Sequence, residues 1–358
     1  MTLQPPLQPA EAHHDPAEAV EQNENAIELK EVEGLSQGRI VLRRFLRHRG
    51  AMISAFVLLF VIVLVTTSIG WGPIPGWWKY DYKELNPIVN AGGAPTMGFH
   101  DGSFTFGDHP FGQDNIGKDG FAVVMRGTQQ SLTVMFVLGL VSTFIGIVVG
   151  STAGFFRGRT DNVLMRVTDM FITIPVIMIG AILGKWVGGA SPWALAFALA
   201  VVSWTGMARL VRGEFLSLRE REFVDAARVA GASNGRIMFK HILPNAIGVI
   251  IVNATLLMAA AILLETALSY LGFGIQSPEV SLGQLISEYQ TAFATRPWLF
   301  WWPGLFIVTI ALTINFIGDG LRDAFDPRQR RIPTRRALAR ADRRREHAAA
   351  RAAATAKA

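Results

Sequence analysis

Long apolar runs alternate with polar stretches along this chain. Six of these runs reach the ~20 residues that an α-helix needs to cross the ~30 Å hydrocarbon core of a bilayer. The pattern therefore predicts an all-α polytopic membrane protein with six transmembrane helices. The predicted spans are 52–70, 131–156, 163–187, 193–210, 246–272 and 299–317.

The stretch before the first run is amphipathic rather than uniformly apolar. Between residues 37 and 50, five arginines alternate with apolar side chains, a pattern typical of a helix that lies on an anionic membrane surface. Residues 1–37 are acid-rich and contain four prolines. We therefore expect a disordered acidic tail there, with no cleavable signal peptide at its start.

The distribution of Lys and Arg predicts an orientation. These residues cluster in the N-terminal stretch, the 157–166 connection, the 221–245 segment and the C-terminal tail. With six spans, all four places lie on one side of the membrane, so the positive-inside rule predicts that both termini are cytoplasmic. The chain has no cysteine, which excludes disulfides, a thiol nucleophile and cysteine-ligated metals.

The polar segment 221–245, between the fourth and fifth runs, is longer than a connector needs to be. Gly231 stands where a helix end takes a left-handed residue, and Ser233 can cap the next helix. Pro244 is expected to end that helix and can occupy the first turn of the apolar helix that follows. The prediction is a helix–turn–helix at the membrane; an interfacial amphipathic helix without a partner is the alternative. Its polar face holds Arg221, Glu222, Asp225 and Arg228, and its apolar face holds Phe223, Ala226, Ala227 and Ala230.

The spacing of Asp225-Ala226-Ala227, Gly231 and Leu243-Pro244 resembles the EAA loop of ABC importer permeases. In that family the loop is a cytoplasmic coupling helix that docks into a groove of an ATP-hydrolysing subunit. The family usually has Glu where this chain has Asp225, one methylene shorter. The resemblance implies an ATPase-coupling loop made of Glu222, Phe223, Asp225, Ala226, Ala227, Gly231, Ala232, His241, Leu243 and Pro244.

Four further stretches resemble C-type subunits of dipeptide and oligopeptide permeases, and together the motifs cover residues 38–328. They are His109–Asp119, Gly158–Asp169 with Ile174-Pro175, Leu264–Gln276 and Phe316–Pro327. The implied organisation has five parts: a tail at 1–37, the N-terminal helix, first span and start of the outer loop at 38–90, the rest of the extracytoplasmic loop at 91–126, an ABC type-1 transmembrane domain at 127–322, and an Arg/Ala-rich cytoplasmic tail at 323–358.

The resemblance implies the membrane subunit of an ATP-driven importer for di- or oligopeptides. Its expected partners are a homologous B-type permease, two ATP-binding subunits or one fused chain, an extracytoplasmic substrate-binding protein, the peptide and the lipid bilayer. The alternatives are the same kind of subunit for another substrate such as nickel, an ion-coupled secondary transporter, and a membrane scaffold. A secondary transporter should show paired interrupted helices, and no such pair is evident in the sequence.

The sequence predicts no chemistry of the chain's own. It has no Gly-x-x-x-x-Gly-Lys-Ser/Thr loop, so ATP and Mg are expected only on partner subunits, and this chain is expected to bind no cofactor and to be no enzyme. The stretch 109–119 lacks the closing Glu of a calcium loop, so no metal site is expected there. The arginine-rich tail can bind anionic lipid or stay solvated; without a folded module or interleaved aromatic residues, it predicts no nucleic-acid binding.

Polar side chains inside spans are costly and therefore candidates for function. The candidate intramembrane polar or gate residues are Asp169, Asn253, Glu265 and Asn315. Hydrogen bonding between helices is the alternative interpretation for each of them.

Overall fold

The computed structural model describes residues 37–100, 102–187 and 191–326. The predicted acidic tail, apart from its last residue, and the Arg/Ala tail beyond residue 326 lie outside these ranges. The described chain forms two compact units. The first contributes residues 37–44 and 326, and the second is Phe45–Phe325.

The described elements are mainly helical. Four helical stretches are long and apolar enough to cross a membrane: Arg49–Ser68, Gly120–Phe156, Asn234–Tyr270 and Pro297–Phe325. In chain order the helices are α1 Gln37–Arg47, α2 Arg49–Ser68, α3 Gly120–Phe156, α4 Gly158–Thr173, α5 Val176–Val187, α6 Pro192–Ser203, α7 Thr205–Leu218, α8 Glu222–Val229, α9 Asn234–Arg236, α10 Leu243–Tyr270, α11 Leu282–Tyr289 and α12 Pro297–Phe325.

The third and fourth predicted spans are not single helices. The axes of α4 and α5 differ by 82°, and those of α6 and α7 by 45°, so the described chain has four spans, or up to six if each bent pair crosses the membrane. Pro175 explains the sharper bend, because a proline has no N–H and excludes the helical conformation at the residue before it. Ile174 is accordingly extended, with φ −96° and ψ 127°. The interpretation that the sequence contains no pair of interrupted helices was therefore wrong, because the predicted spans 163–187 and 193–210 each meet such a bend.

The second long helix begins at Gly120, eleven residues before the predicted start at Ser131. The carboxylate of Asp119 accepts a 2.8 Å hydrogen bond from the Ala122 N–H and so caps the helix. The apolar pattern missed the first turns of α3 because they carry Arg126 and two glutamines. These polar residues lie against other parts of the protein rather than in lipid.

The loop before α3 contains short antiparallel strands that an all-α prediction did not include. Strand β1 (Gly70–Trp71) pairs with β2 (Ile74–Pro75), and β3 (Gly98–His100) pairs with β4 (Ser103–Thr105). Beneath them, the buried His109 Nδ1 lies 2.8 Å from Asp119 Oδ1, and the Trp78 Nε1–H donates to the other oxygen at 2.8 Å. These side chains are therefore structural partners, and no cluster of three metal-ligating side chains occurs in the described part of the chain.

The second unit contains two hydrophobic clusters. The larger one joins α2, α3, α10, α11 and α12, with Leu138, Ile262, Leu268 and Ile310 essentially inaccessible to solvent. The smaller one, called here the inner cluster, lies under the 221–245 segment. It consists of Phe155, Met207, Val211, Phe215, Val224, Ile237, Met238, Ile242, Ala246 and Ile250.

Candidate functional site

The turn between α8 and α9 has the geometry that the sequence predicted. Gly231 has φ +77°, the left-handed conformation that glycine adopts without strain. Its N–H donates to the Arg228 carbonyl at 2.9 Å, and the Ala232 N–H donates to the Ala227 carbonyl at 3.0 Å. This pair of bonds is the Schellman arrangement that ends a helix with a fixed turn. The Ser233 hydroxyl caps the next helix by accepting from the Arg236 N–H at 3.4 Å.

Pro244 lies in the first turn of the long apolar helix, as predicted, but the helix before it does not end there, contrary to the prediction. After α9 the chain makes a π-helical turn at Ile237–Ile242 and continues directly into α10, where Pro244 occupies the first turn. A proline is tolerated there because the wide turn leaves no N–H required at that position. The consequence is one helical rod from Asn234 to Tyr270. This rod begins three residues after Gly231.

Helix α8 attaches to the rest of the protein through one valine. Val224 is fully buried in the inner cluster, and Ala227 and Ala232 are half-buried beside it. The face predicted to be apolar points mostly outward instead: Phe223 is 39% exposed, and Ala226 and Ala230 are also exposed.

The outward face of α8 combines apolar and charged side chains. Val229 is 91% exposed, and Glu222 and Asp225 are exposed near it on the same short helix. Asp225 accepts a 2.8 Å hydrogen bond from Arg228, an exposed pair that contributes at most about 1 kcal/mol. The outward face of α8 thus presents apolar side chains beside charged ones.

The C-terminal part of the segment is partly enclosed. His241 is half-buried, and its carbonyl accepts a 2.6 Å hydrogen bond from the Asn245 side chain. Leu243 is half-buried against the inner cluster, and Pro244 is exposed. His241 and Leu243 therefore belong to the junction with α10, whereas Pro244 leaves its ring on the surface.

Charged side chains hold the neighbouring helices under this segment. Arg212 of α7 binds Asp161 of α4 through two bonds of 2.5 and 2.7 Å, the two-pronged geometry that makes Arg–carboxylate pairs strong. Arg219 donates to the Phe155 carbonyl at the end of α3. No local pattern predicts these contacts, because the two partners of each lie more than fifty residues apart in the chain.

The four intramembrane candidates lie in separate places. Asp169 is exposed on α4 and binds Arg209 of α7 at 2.5 Å. The side-chain amides of Asn253 and Asn315 each donate to a carbonyl four residues earlier in their own helix, at 2.9 and 2.8 Å. Glu265 is fully buried and bonds to serines. Among the described residues, no hydrogen bond or ion pair joins any two of the four.

Fold and site together define a class: a polytopic helical membrane protein with an exposed, rigidly turned helix joined to a spanning helix. The family of binding-protein-dependent transport system inner membrane components matches residues 146–331, and the N-terminal TM domain of oligopeptide transport permease C matches residues 36–95. The chain belongs to this transport family. It is thus an integral membrane permease component of an ABC importer, a system that generally includes a partner permease, an ATPase and a binding protein.

Individual relatives match over most of their length. The oligopeptide transport system permease protein OppC of Mycobacterium tuberculosis is 38% identical over 300 residues, covering 83% of this chain and 97% of the relative. The OppC protein of Haemophilus influenzae is 35% identical over 314 residues, covering 88% and 96%. A chain of the MetNI methionine ABC transporter, in an inward-facing crystal form, superposes with a TM-score of 0.47 at 21% identity over 57% of this chain and 97% of that chain.

Proposed function

We propose that this chain is the C-type permease subunit of an ATP-driven importer for di- or oligopeptides. The peptide substrate is supported by the similarity to OppC proteins over more than four-fifths of the chain. The observation that carries the mechanism is the rigid turn at Gly231, which joins an exposed helix to a continuous spanning helix. A subunit that only lined a path would have no use for such a connection.

In this proposal the segment 221–245 transmits motion and performs no chemistry. Helix α8 lies in a groove of an ATP-binding subunit, with Phe223 and Val229 against the groove and Val224 holding the helix to the permease. ATP-driven movement of the ATPase then pulls on the turn at Gly231. Because α9, the π-helical turn and α10 form one rod, the pull tilts α10 inside the membrane.

The proposed assembly contains a homologous B-type permease, two ATP-binding subunits or one fused chain, and an extracytoplasmic substrate-binding protein. ATP and Mg²⁺ bind to the ATPases, and this chain holds no cofactor. Both of its termini and the 221–245 segment are cytoplasmic, as the distribution of Lys and Arg supports. The loop 72–119 then faces outward, towards the binding protein.

The test is uptake into proteoliposomes that contain this chain with its partner permease and ATPases, and the binding protein on the outer side. We expect a labelled oligopeptide to accumulate only with ATP inside, and to do so equally well after an ionophore has removed ion gradients. Loss of uptake with the ionophore would favour an ion-coupled transporter. Accumulation of nickel ions but not of peptide would identify the alternative substrate.

A further inference from the structure

Glu265 is the one fully buried side chain among the four intramembrane candidates, and its contacts join separate parts of the chain. It lies on α10 with a fully buried side chain. One carboxylate oxygen accepts from the Ser269 hydroxyl at 2.7 Å, and the other accepts from the Ser131 hydroxyl of α3 at 2.8 Å.

Each serine that bonds to Glu265 also accepts a backbone N–H from the segment that follows α10. The Ser269 oxygen accepts the Ile275 N–H at 3.1 Å, and the Ser131 oxygen accepts the Leu282 N–H at 3.3 Å. A hydroxyl has one hydrogen and two lone pairs, so donating to the carboxylate leaves its lone pairs free for the N–H groups. Glu265 thereby sets the orientation of the hydroxyls on which these buried N–H groups depend.

The same segment lies directly on α10 and α3. A Cβ atom at Gly283 would come within 2.3 Å of the Thr266 carbonyl oxygen, so the start of α11 touches the backbone of α10. At its rim, Glu279 accepts from Arg126 at 2.8 Å and from Gln130 at 2.7 Å, and both of these residues belong to α3. Glu265 therefore holds the segment 275–284 through its serine contacts, and Arg126 holds it through Glu279.

A leucine of similar size would fill the site of Glu265 at a much lower desolvation cost, since a buried carboxylate is expensive unless it is fully hydrogen-bonded. We propose that Glu265 is a positioning residue. Through Ser131 and Ser269 it locks the segment 275–284 onto α3 and α10, so that these elements move as one body. The consequence for transport rests on the proposed import function, whereas the lock itself does not.

The test is amide hydrogen exchange of the purified chain, read amide by amide over 274–285. Replacing Glu265 with Leu removes the acceptor for both hydroxyls, and we expect exchange at Ile275 and Leu282 to accelerate at least about tenfold. Glu265→Gln keeps one acceptor and the side-chain length, so it should retain most of the protection. Asn253→Leu, in the same helix but bonded only within it, is the matched control and should leave both amides unchanged.

The serines make the test specific. Ser269→Ala should accelerate exchange at Ile275 and spare Leu282, and Ser131→Ala should do the reverse. This pairwise pattern stays decisive even if Glu265→Leu fails to fold. Unchanged exchange in both serine variants, or equal acceleration at both amides, would overturn the lock.

A transport measurement separates the lock from the proposed function. We expect ATP-driven peptide uptake to fall at least about tenfold in Glu265→Leu and to recover in Glu265→Gln, with the ATPases still bound. If wild type shows no peptide uptake, the import proposal fails while the amide pattern still stands. If uptake is normal in wild type but exchange is unaffected in every variant, the lock fails alone.

Discussion

Truncating the buried valine of α8 should loosen this helix from the rest of the protein. Val224→Ala removes two methyl groups from a fully buried site, which costs about 1.6 kcal/mol in transfer free energy and brings the total to about 2 kcal/mol with the cavity. The higher helix propensity of alanine offsets up to about 0.6 kcal/mol of this loss. The net loss of about 1.4 kcal/mol corresponds to about a tenfold increase in local opening.

Val229→Ala is the matched control, because it is the same substitution in the same helix at a site that is 91% exposed. It gains up to about 0.6 kcal/mol of helix propensity without losing burial, so local opening should fall by about threefold. Amide hydrogen exchange across Glu222–Val229 in the purified permease measures both. The two variants should differ by about 2 kcal/mol, or roughly thirtyfold in exchange rate. Equal exchange in the two variants would refute the anchoring role of Val224.

Three further predictions concern the turn, the helix contacts and the topology. Gly231→Val should leave membrane insertion intact but weaken the coupling of ATP hydrolysis to uptake. A Cβ atom at position 231 meets nothing within 4 Å, so the cost of about 1–2 kcal/mol comes from backbone strain alone. Gly231→Ala should therefore cost about as much. Gly150→Val should reduce the yield of folded chain in detergent, because a Cβ would lie 2.4 Å from the Ala208 carbonyl oxygen; normal yield would contradict that close contact. Single cysteines at His100 and Ala232 can be treated in intact cells with a membrane-impermeant maleimide. The cysteine at position 100 should react and the one at position 232 should not. The reverse result would contradict the proposed orientation.

Sequence reasoning recovered the parts of the site that depend on local rules. A left-handed glycine, a serine cap and an amphipathic period are each encoded within a few residues, and the structure confirms Gly231 and Ser233 in those roles. The long apolar runs likewise identified the helices that can cross a membrane.

The parts that were missed depend on contacts between distant residues or on exact helix boundaries. Arg212 and Asp161 have no sequence signal as a pair, and Val224 looks like its neighbours until the inner cluster is known. The predicted place of Pro244 in a first turn is confirmed, but the predicted helix end before it was wrong, because a proline in a first turn and one that ends a helix have the same local pattern. The hydrophobic pattern did not predict the bend at Pro175, because apolar residues continue on both sides of it.

The central claim is that the exposed face of α8 contacts an ATP-binding subunit. The most direct measurement places single cysteines at Val229 and, as a control, at the exposed Phe99 of β3, in a chain that has no native cysteine. Each cysteine carries a short photo-crosslinker in the assembled importer. Illumination should join the ATPase to the chain through position 229 and give little or no product through position 99. An intact complex in which position 229 captures no ATPase would contradict the proposed coupling.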